Sequence, residues 1–147
     1  YLLVNKLVYF KLDTGRLSKI IPFWNEDNPL GHFLIHPPER GDVIVFRFPR
    51  DPSKDFVKRV IGLPGETVEL RRGMTYIDGE ILPEPYLTSP DNSTRPLILL
   101  GEKEYFVMGD NRRSSNDSRS WGPVPEGLVL GKVWFVYWPF SSLQVLN

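Results

Sequence analysis

A mainly β fold is predicted by three features of this sequence. Short runs of Val, Ile, Leu, Phe, Tyr and Trp recur along it, and such residues suit a pleated, packed surface. Gly-containing turn signals separate those runs. Fourteen prolines are scattered through 147 residues and would interrupt long helices, and no segment carries a sustained helical period with caps.

The elements follow in order. Tyr1 to Tyr9, rich in Leu, Val and Tyr, reads as the first strand. Asp13 to Pro38 carries Pro22, Pro29, Pro37 and Pro38 among polar residues and reads as a long irregular excursion over the surface or a mobile flap. The turn Arg40-Gly41-Asp42 introduces Val43 to Phe48, V-I-V-F-R-F, an almost continuous apolar run of strand length. Such a run is expected where both faces of a strand are covered. Leu63-Pro64-Gly65 is a turn. Asp78-Gly79 lies between Met74–Ile77 and Glu80–Leu82, which predicts a hairpin, because a type I′ turn needs positive φ at both central residues. Pro83 to Pro96, with Pro83, Pro85, Pro90, Pro96 and Asp91-Asn92-Ser93, reads as an irregular insertion before a strand near Tyr105. Val133 to Trp138, V-W-F-V-Y-W, reads as a further strand.

The length fits one domain with a real core. Hydrophobic residues at 41% and charged residues at 24% argue against wholesale disorder. Eighteen basic residues balance eighteen acidic ones, so no net field favours nucleic acid, which is not an expected partner. With no cysteine, disulfides, thiol catalysis and Cys-based zinc sites are excluded. The only histidines, His32 and His36, stand in no motif, and two histidines with scattered carboxylates make a poor metal signal. No cofactor and no metal are expected. No apolar run approaches the about 20 residues that span a bilayer. The chain opens at Tyr1 inside a strand without an initiator Met, so the expectation is an N-terminally truncated chain that could have lost a membrane anchor.

Two segments could carry chemistry. Gly109 to Arg119, G-D-N-R-R-S-S-N-D-S-R, packs both charge signs and hydroxyls into one stretch that can hold charge-assisted hydrogen bonds. Composition alone favours a solvated loop tip. In Asp55-Phe56-Val57-Lys58-Arg59-Val60-Ile61-Gly62, a strand would put Phe56 and Lys58 on one face and Val57 on the other. A lysine on a covered face loses hydration, its pKa falls, and the neutral amine can act as a general base. For a lone lysine, snorkelling to solvent or pairing with an acid is the commoner outcome. The aromatics Trp134, Phe135, Tyr137, Trp138 and Phe140 could touch a membrane interface. Alternation along a strand puts about half of them in the core instead.

Taken together, the motifs resemble those of type I signal peptidases. Arg40-Gly41-Asp42-Val43-Ile44-Val45-Phe46 resembles their RGDxVVF box, and Lys58-Arg59-Val60-Ile61-Gly62-Leu63-Pro64-Gly65 their KRxxGLPG box. Gly109-Asp110-Asn111-Arg112 with Ser115, Asp117, Ser118 and Arg119 resembles their GDNRxxSxDSR box. Tyr1 to Lys6 is similar to the strand that follows their serine box. The order is the family's, and the motifs span nearly the whole chain.

The resemblance implies the β catalytic core shared by signal peptidases and self-cleaving repressors. Residues 1–70 and 102–147 would form it, with 71–101 as a small extension of hairpin and Pro-rich loop. It implies Lys58 as general base, Ser115 as the hydroxyl that orients it, and Asp117 and Arg119 as a supporting pair. Asp110 and Arg112 match less directly involved positions. Leu2, Val45, Asp55, Phe56 and Val57 match positions that line the substrate pockets, which would take small residues at the first and third places before the cut. The implied activity is endoproteolytic removal of signal peptides from preproteins. The implied setting is the extracytoplasmic side of a membrane, with the lipid surface as a partner.

The family's nucleophile belongs to an SxSMxPT-type box before the position of Tyr1, and no such box occurs here. The fragment alone is therefore expected to be inactive. A non-catalytic homologue that binds peptides or supports a secretion complex is the alternative. A self-cleaving repressor protease is a third reading, which the GDNR-type loop and the lack of a helical DNA-binding domain oppose.

Overall fold

The computed structural model describes residues 2–5, 37–136 and 144–145, with side chains from 37 to 133. Two antiparallel sheets form it. Seven strands make the larger: β1 (Leu2–Asn5), β2 (Val43–Phe48), β3 (Asp51–Gly62), β8 (Glu104–Met108), β9 (Val124–Pro125), β10 (Val129–Val136) and β11 (Gln144–Val145). Their order is β1-β10-β2-β3-β8-β9, with β11 also on β10. The smaller sheet has four strands in the order β6-β5-β4-β7: β4 (Thr67–Arg71), β5 (Met74–Ile77), β6 (Glu80–Ile81) and β7 (Arg95–Leu99). Among the described residues, helix is confined to Ser118–Trp121 and the 3₁₀ turns Arg112–Ser114 and Glu126–Leu128. No helix among them is long and apolar enough to cross a membrane.

β2 occupies the predicted residues, and Ile44, Val45 and Phe46 are all buried, so both its faces are covered. It pairs with β3 in the register Ile44↔Lys58, Val45↔Val57 and Phe46↔Phe56. Cross-strand partners share a face and neighbours alternate. Ile44, Phe46, Phe56, Lys58 and Val60 therefore lie on one side of the sheet, and Val45, Val57, Arg59 and Ile61 on the other.

Each side has its own core. Ile44, Phe46, Val60, Tyr105, Val107, Trp121, Val124 and Val129 form the first, with Phe48 and Phe56 packed against it. Phe48 stacks on Phe56 at 4.6 Å between ring centroids, and Trp121 meets Phe48 edge-on at 5.6 Å. Ile61, Val68, Leu70, Leu100, Phe106 and Met108 form the second, where the smaller sheet packs against the larger. A Cβ on Gly62 would lie 2.5 Å from Val68 Cγ2 and 2.8 Å from Leu100 Cδ1, so this glycine is what lets the sheets approach.

The predicted Asp78-Gly79 hairpin joins β5 and β6 with φ of 50° and 85°, the positive angles of a type I′ turn. The sequence reading of irregular chain from Pro83 to Pro96 missed the start of β7. β7 is an edge strand, and an edge tolerates Pro96 because one side of its backbone needs no ladder partner. The smaller sheet begins at Thr67, so its first strand starts within residues 1–70. Of the predicted first strand, Leu2–Asn5 forms β1. Residues 6–36, with the excursion and both histidines, and 137–143 lie outside the described residues.

Candidate active site

Lys58 sits near the middle of β3, half-buried, with its Nζ 5.6 Å from the centroid of the Phe56 ring. It makes no hydrogen bond or ion pair with the described residues, so the pairing with an acid that a lone lysine usually finds is missing here. Burial pushes its amine below the ordinary lysine value of 10.5, and the negative charge of Asp117 opposes that shift.

The loop after β8 reaches Lys58 because Met108, its last strand residue, pairs with Arg59. Gly109 is the contact point. A Cβ there would lie 2.3 Å from Ser115 Oγ and 3.7 Å from Lys58 Cδ. The absence of a side chain thus lets Ser115 fold back beside the Lys58 stem. Ser115 Oγ is enclosed and has no hydrogen-bond partner among the described residues. It lies beside the Asp117 carboxylate without reaching hydrogen-bond geometry, although the contact still helps hold that carboxyl down.

Asp117 is fully buried and caps the short helix Ser118–Trp121. Its Oδ1 accepts from Arg119 Nε at 2.8 Å and from the Arg119 backbone N–H at 3.2 Å. Its Oδ2 accepts from Arg119 Nη2 at 2.9 Å and from the Gly109 N–H at 3.0 Å. Burial alone would raise the Asp117 pKa, but the Arg119 and Gly109 hydrogen bonds and the Arg119 charge hold it below 3.8. Ser118 Oγ accepts from the Val107 N–H at 3.0 Å, which pins the helix to β8.

Arg59, next to Lys58, points to the opposite face. It donates to Asp110 through Nε at 2.8 Å and Nη2 at 2.7 Å, and through Nη1 to the Gly41 carbonyl at 2.7 Å. The three motif regions thus meet at one ion pair. Arg40 donates to the Ile61 carbonyl at 2.6 Å and pairs with Glu66, whose other oxygen accepts from the Leu63 N–H at 2.7 Å.

The structure therefore brings Lys58, Phe56, Ser115, Asp117 and Arg119 to one locality. Val45 and Val57 face each other across β2 and β3 on the side away from Lys58 and Phe56. Asp55 is exposed, and the side chain of Leu2 lies outside the described residues. Sequence reasoning missed Glu84, Tyr86 and Asp91, which bind Arg112, Arg59 and Arg119 respectively. A run of prolines gave no sign that its acids turn inward. Among the described residues no acidic or histidine cluster could hold a metal.

On a frame of two β sheets, a half-buried lysine with no hydrogen-bond or ion-pair partner among the described residues thus has its stem beside the loop that encloses a serine hydroxyl. The family model for signal peptidase, peptidase S26, matches residues 1–138, and the chain belongs to that family. It is 43% identical to the probable signal peptidase I-1 of Synechocystis over 74% of this chain and 59% of that protein. It is 32% identical to signal peptidase I of Pseudomonas aeruginosa over 99% of this chain and 62% of that protein. A crystal structure of a signal peptidase I from Enterococcus faecalis matches with a TM-score of 0.56 and 40% identity, covering 65% of this chain and 95% of that one. The chain spans about three fifths of the length of these two relatives.

Proposed function

We propose that the full-length protein is a serine endopeptidase that removes signal peptides from secreted preproteins, with Lys58 as its general base. The observation that carries this reading is half-buried Lys58, whose amine lacks an acidic partner among the described residues and whose stem lies beside the Gly109–Ser115 contact. A serine hydroxyl attacks a peptide only if a base takes its proton, and an amine can do so only when neutral. The nucleophile is a serine supplied by chain preceding Tyr1. Its Oγ bonds to the scissile carbonyl carbon while its proton passes to Lys58 Nζ. The C–N bond then breaks, and the Lys58 ammonium returns the proton to the departing nitrogen. Water, activated by Lys58 in turn, hydrolyses the ester.

Ser115 orients the amine, and Asp117 with Arg119 holds the loop that carries it. Phe56 flanks the base and shapes the site for a small substrate residue beside it. Residues 1–70 and 102–147 act as the catalytic core and 71–101 as its extension. The site works on the extracytoplasmic side of a membrane, held there by the preceding segment.

Lys58→Met in the full-length gene product, assayed on a preprotein with a signal sequence, tests the reading. Cleavage should vanish while the fold persists. Undiminished cleavage would refute Lys58 as the base, whereas no cleavage by the wild-type full-length protein would leave the peptide-binding homologue as the better account.

A further inference from the structure

We propose that Glu84, on the irregular segment between β6 and β7, is a positioning residue for Lys58 and Ser115. The proposal rests on the proteolytic reading above and adds a residue from outside the three sequence motifs.

Residues 84–91 cross from the smaller sheet to the Gly109–Arg119 loop and run along it like a strap. Thr88 N–H donates to the Asp110 carbonyl at 3.2 Å, Arg112 N–H donates to the Ser89 carbonyl at 3.0 Å, and Arg113 Nε reaches the Pro90 carbonyl at 2.8 Å. Glu84 is the buried end of the strap, with its side chain only 4% exposed. One oxygen accepts from Arg112 Nη2 and from the Tyr86 hydroxyl at 3.0 Å. The other accepts from Arg112 Nη1 at 3.2 Å and from Thr75 Oγ1 at 2.9 Å.

Arg112 carries the effect onward. Its guanidinium, as buried as Glu84, donates through Nε to the Gly109 carbonyl at 3.2 Å. The Gly109 N–H is held by Asp117 at 3.0 Å, so the residue that touches both Ser115 and Lys58 is gripped at both ends. One grip comes from the active-site loop itself and the other, through Arg112, from Glu84. A second strand of the same logic runs through Tyr86, whose ring lies 4.3 Å from the Arg59 guanidinium, next in sequence to Lys58. Loss of the Glu84 charge would leave Arg112 buried and unpaired, and Arg112 would turn toward solvent and release Gly109.

The test uses the full-length gene product and follows kcat and KM against pH. Among the described residues, Asp117 is the charged group acting on Lys58, and Ser115 and Gly109 pack against its stem. Glu84→Gln should lower kcat by about tenfold to a hundredfold with KM changed by less than about threefold, as for a small displacement of reacting groups. Its alkaline-rising limb of activity should move up by about one pH unit, because a loosened loop lets water reach Lys58. Glu84→Gln combined with Arg112→Gln removes both buried charges, so it folds even if the single variant does not, and the same shift should persist. Val68→Ala, which weakens the second core but removes none of the hydrogen bonds or ion pairs of the strap, should lower the melting temperature and leave the limb in place. A limb unmoved in both Glu84 variants, while Lys58→Met is inactive, would overturn the positioning role alone. Full activity of Lys58→Met would overturn Lys58 as the base, the part of the proteolytic reading on which the positioning role rests.

Discussion

The Ser115 hydroxyl occupies the space that a Cβ on Gly109 would take, with only 2.3 Å between the two positions. The pair is the hinge of the site, because the Lys58 stem lies 3.7 Å from the same Cβ position.

Gly109→Ala should therefore expel Ser115 from its place. In the full-length protein the expected loss in kcat/KM is about a hundredfold, the scale of a displaced reacting group. Adding Ser115→Gly should restore the melting temperature without restoring cleavage, since it relieves the clash but supplies no hydroxyl. Thermal melts read beside cleavage rates separate the two effects.

Asp117→Asn should have two measurable consequences. It removes one of the two carboxylates that pair with Arg119 and leaves Asp91 as the other, so the cost in denaturant unfolding should fall below the about 3–5 kcal/mol of an unpaired buried charge. Because the folded-state pKa of Asp117 lies below 3.8, its stabilising contribution is complete above that pH and disappears as pH falls through the folded value. The gap between wild type and variant should close in acid. In activity, Lys58 loses the charge that raises its pKa, so the limb should move to lower pH, opposite to the shift expected for Glu84→Gln.

Lys58 itself should leave a mark on stability. Its folded-state pKa is lowered, so between that value and 10.5 the unfolded chain binds more protons than the folded one. Stability relative to Lys58→Met should therefore rise with pH across that window. Unfolding midpoints of both proteins over the alkaline range would show it, and a constant difference would contradict the buried amine.

Gly62→Ala should push β3 away from Val68 and Leu100. The expected cost is about 1–3 kcal/mol, the usual scale of overpacking. Paired substitution with Val68→Ala should recover part of it, and equilibrium unfolding measures both.

The sheet strands around Lys58 were legible because β2 is apolar on both faces, as its burial requires. The Asp78-Gly79 hairpin was legible because its backbone angles demand such residues. Lys58 could be singled out in sequence, but its surroundings could not, since the desolvation depends on a loop some fifty positions away that reaches it through the Arg59↔Met108 pairing. The strap was illegible for a different reason. Prolines and acids at 83–91 have the composition of a surface loop, and only the smaller sheet, which turns Glu84 inward beneath Arg112, gives them another role. β7 was hidden by Pro96, which an edge position accepts.

The strap also bears on how the molecule comes into being. β4, β5 and β6 are joined by tight turns, and their pairings close short stretches of chain, the least costly closures in entropy. The Gly109–Arg119 loop instead depends on partners 28 residues back at Glu84 and 51 back at Arg59. Such distant contacts form late. During synthesis the lysine strand and the strap both leave the ribosome before the loop that they receive. In the mechanism proposed above, a nascent chain with both sheets closed and that loop still unseated would have no oriented base, so cleavage would become possible only with the last step of folding.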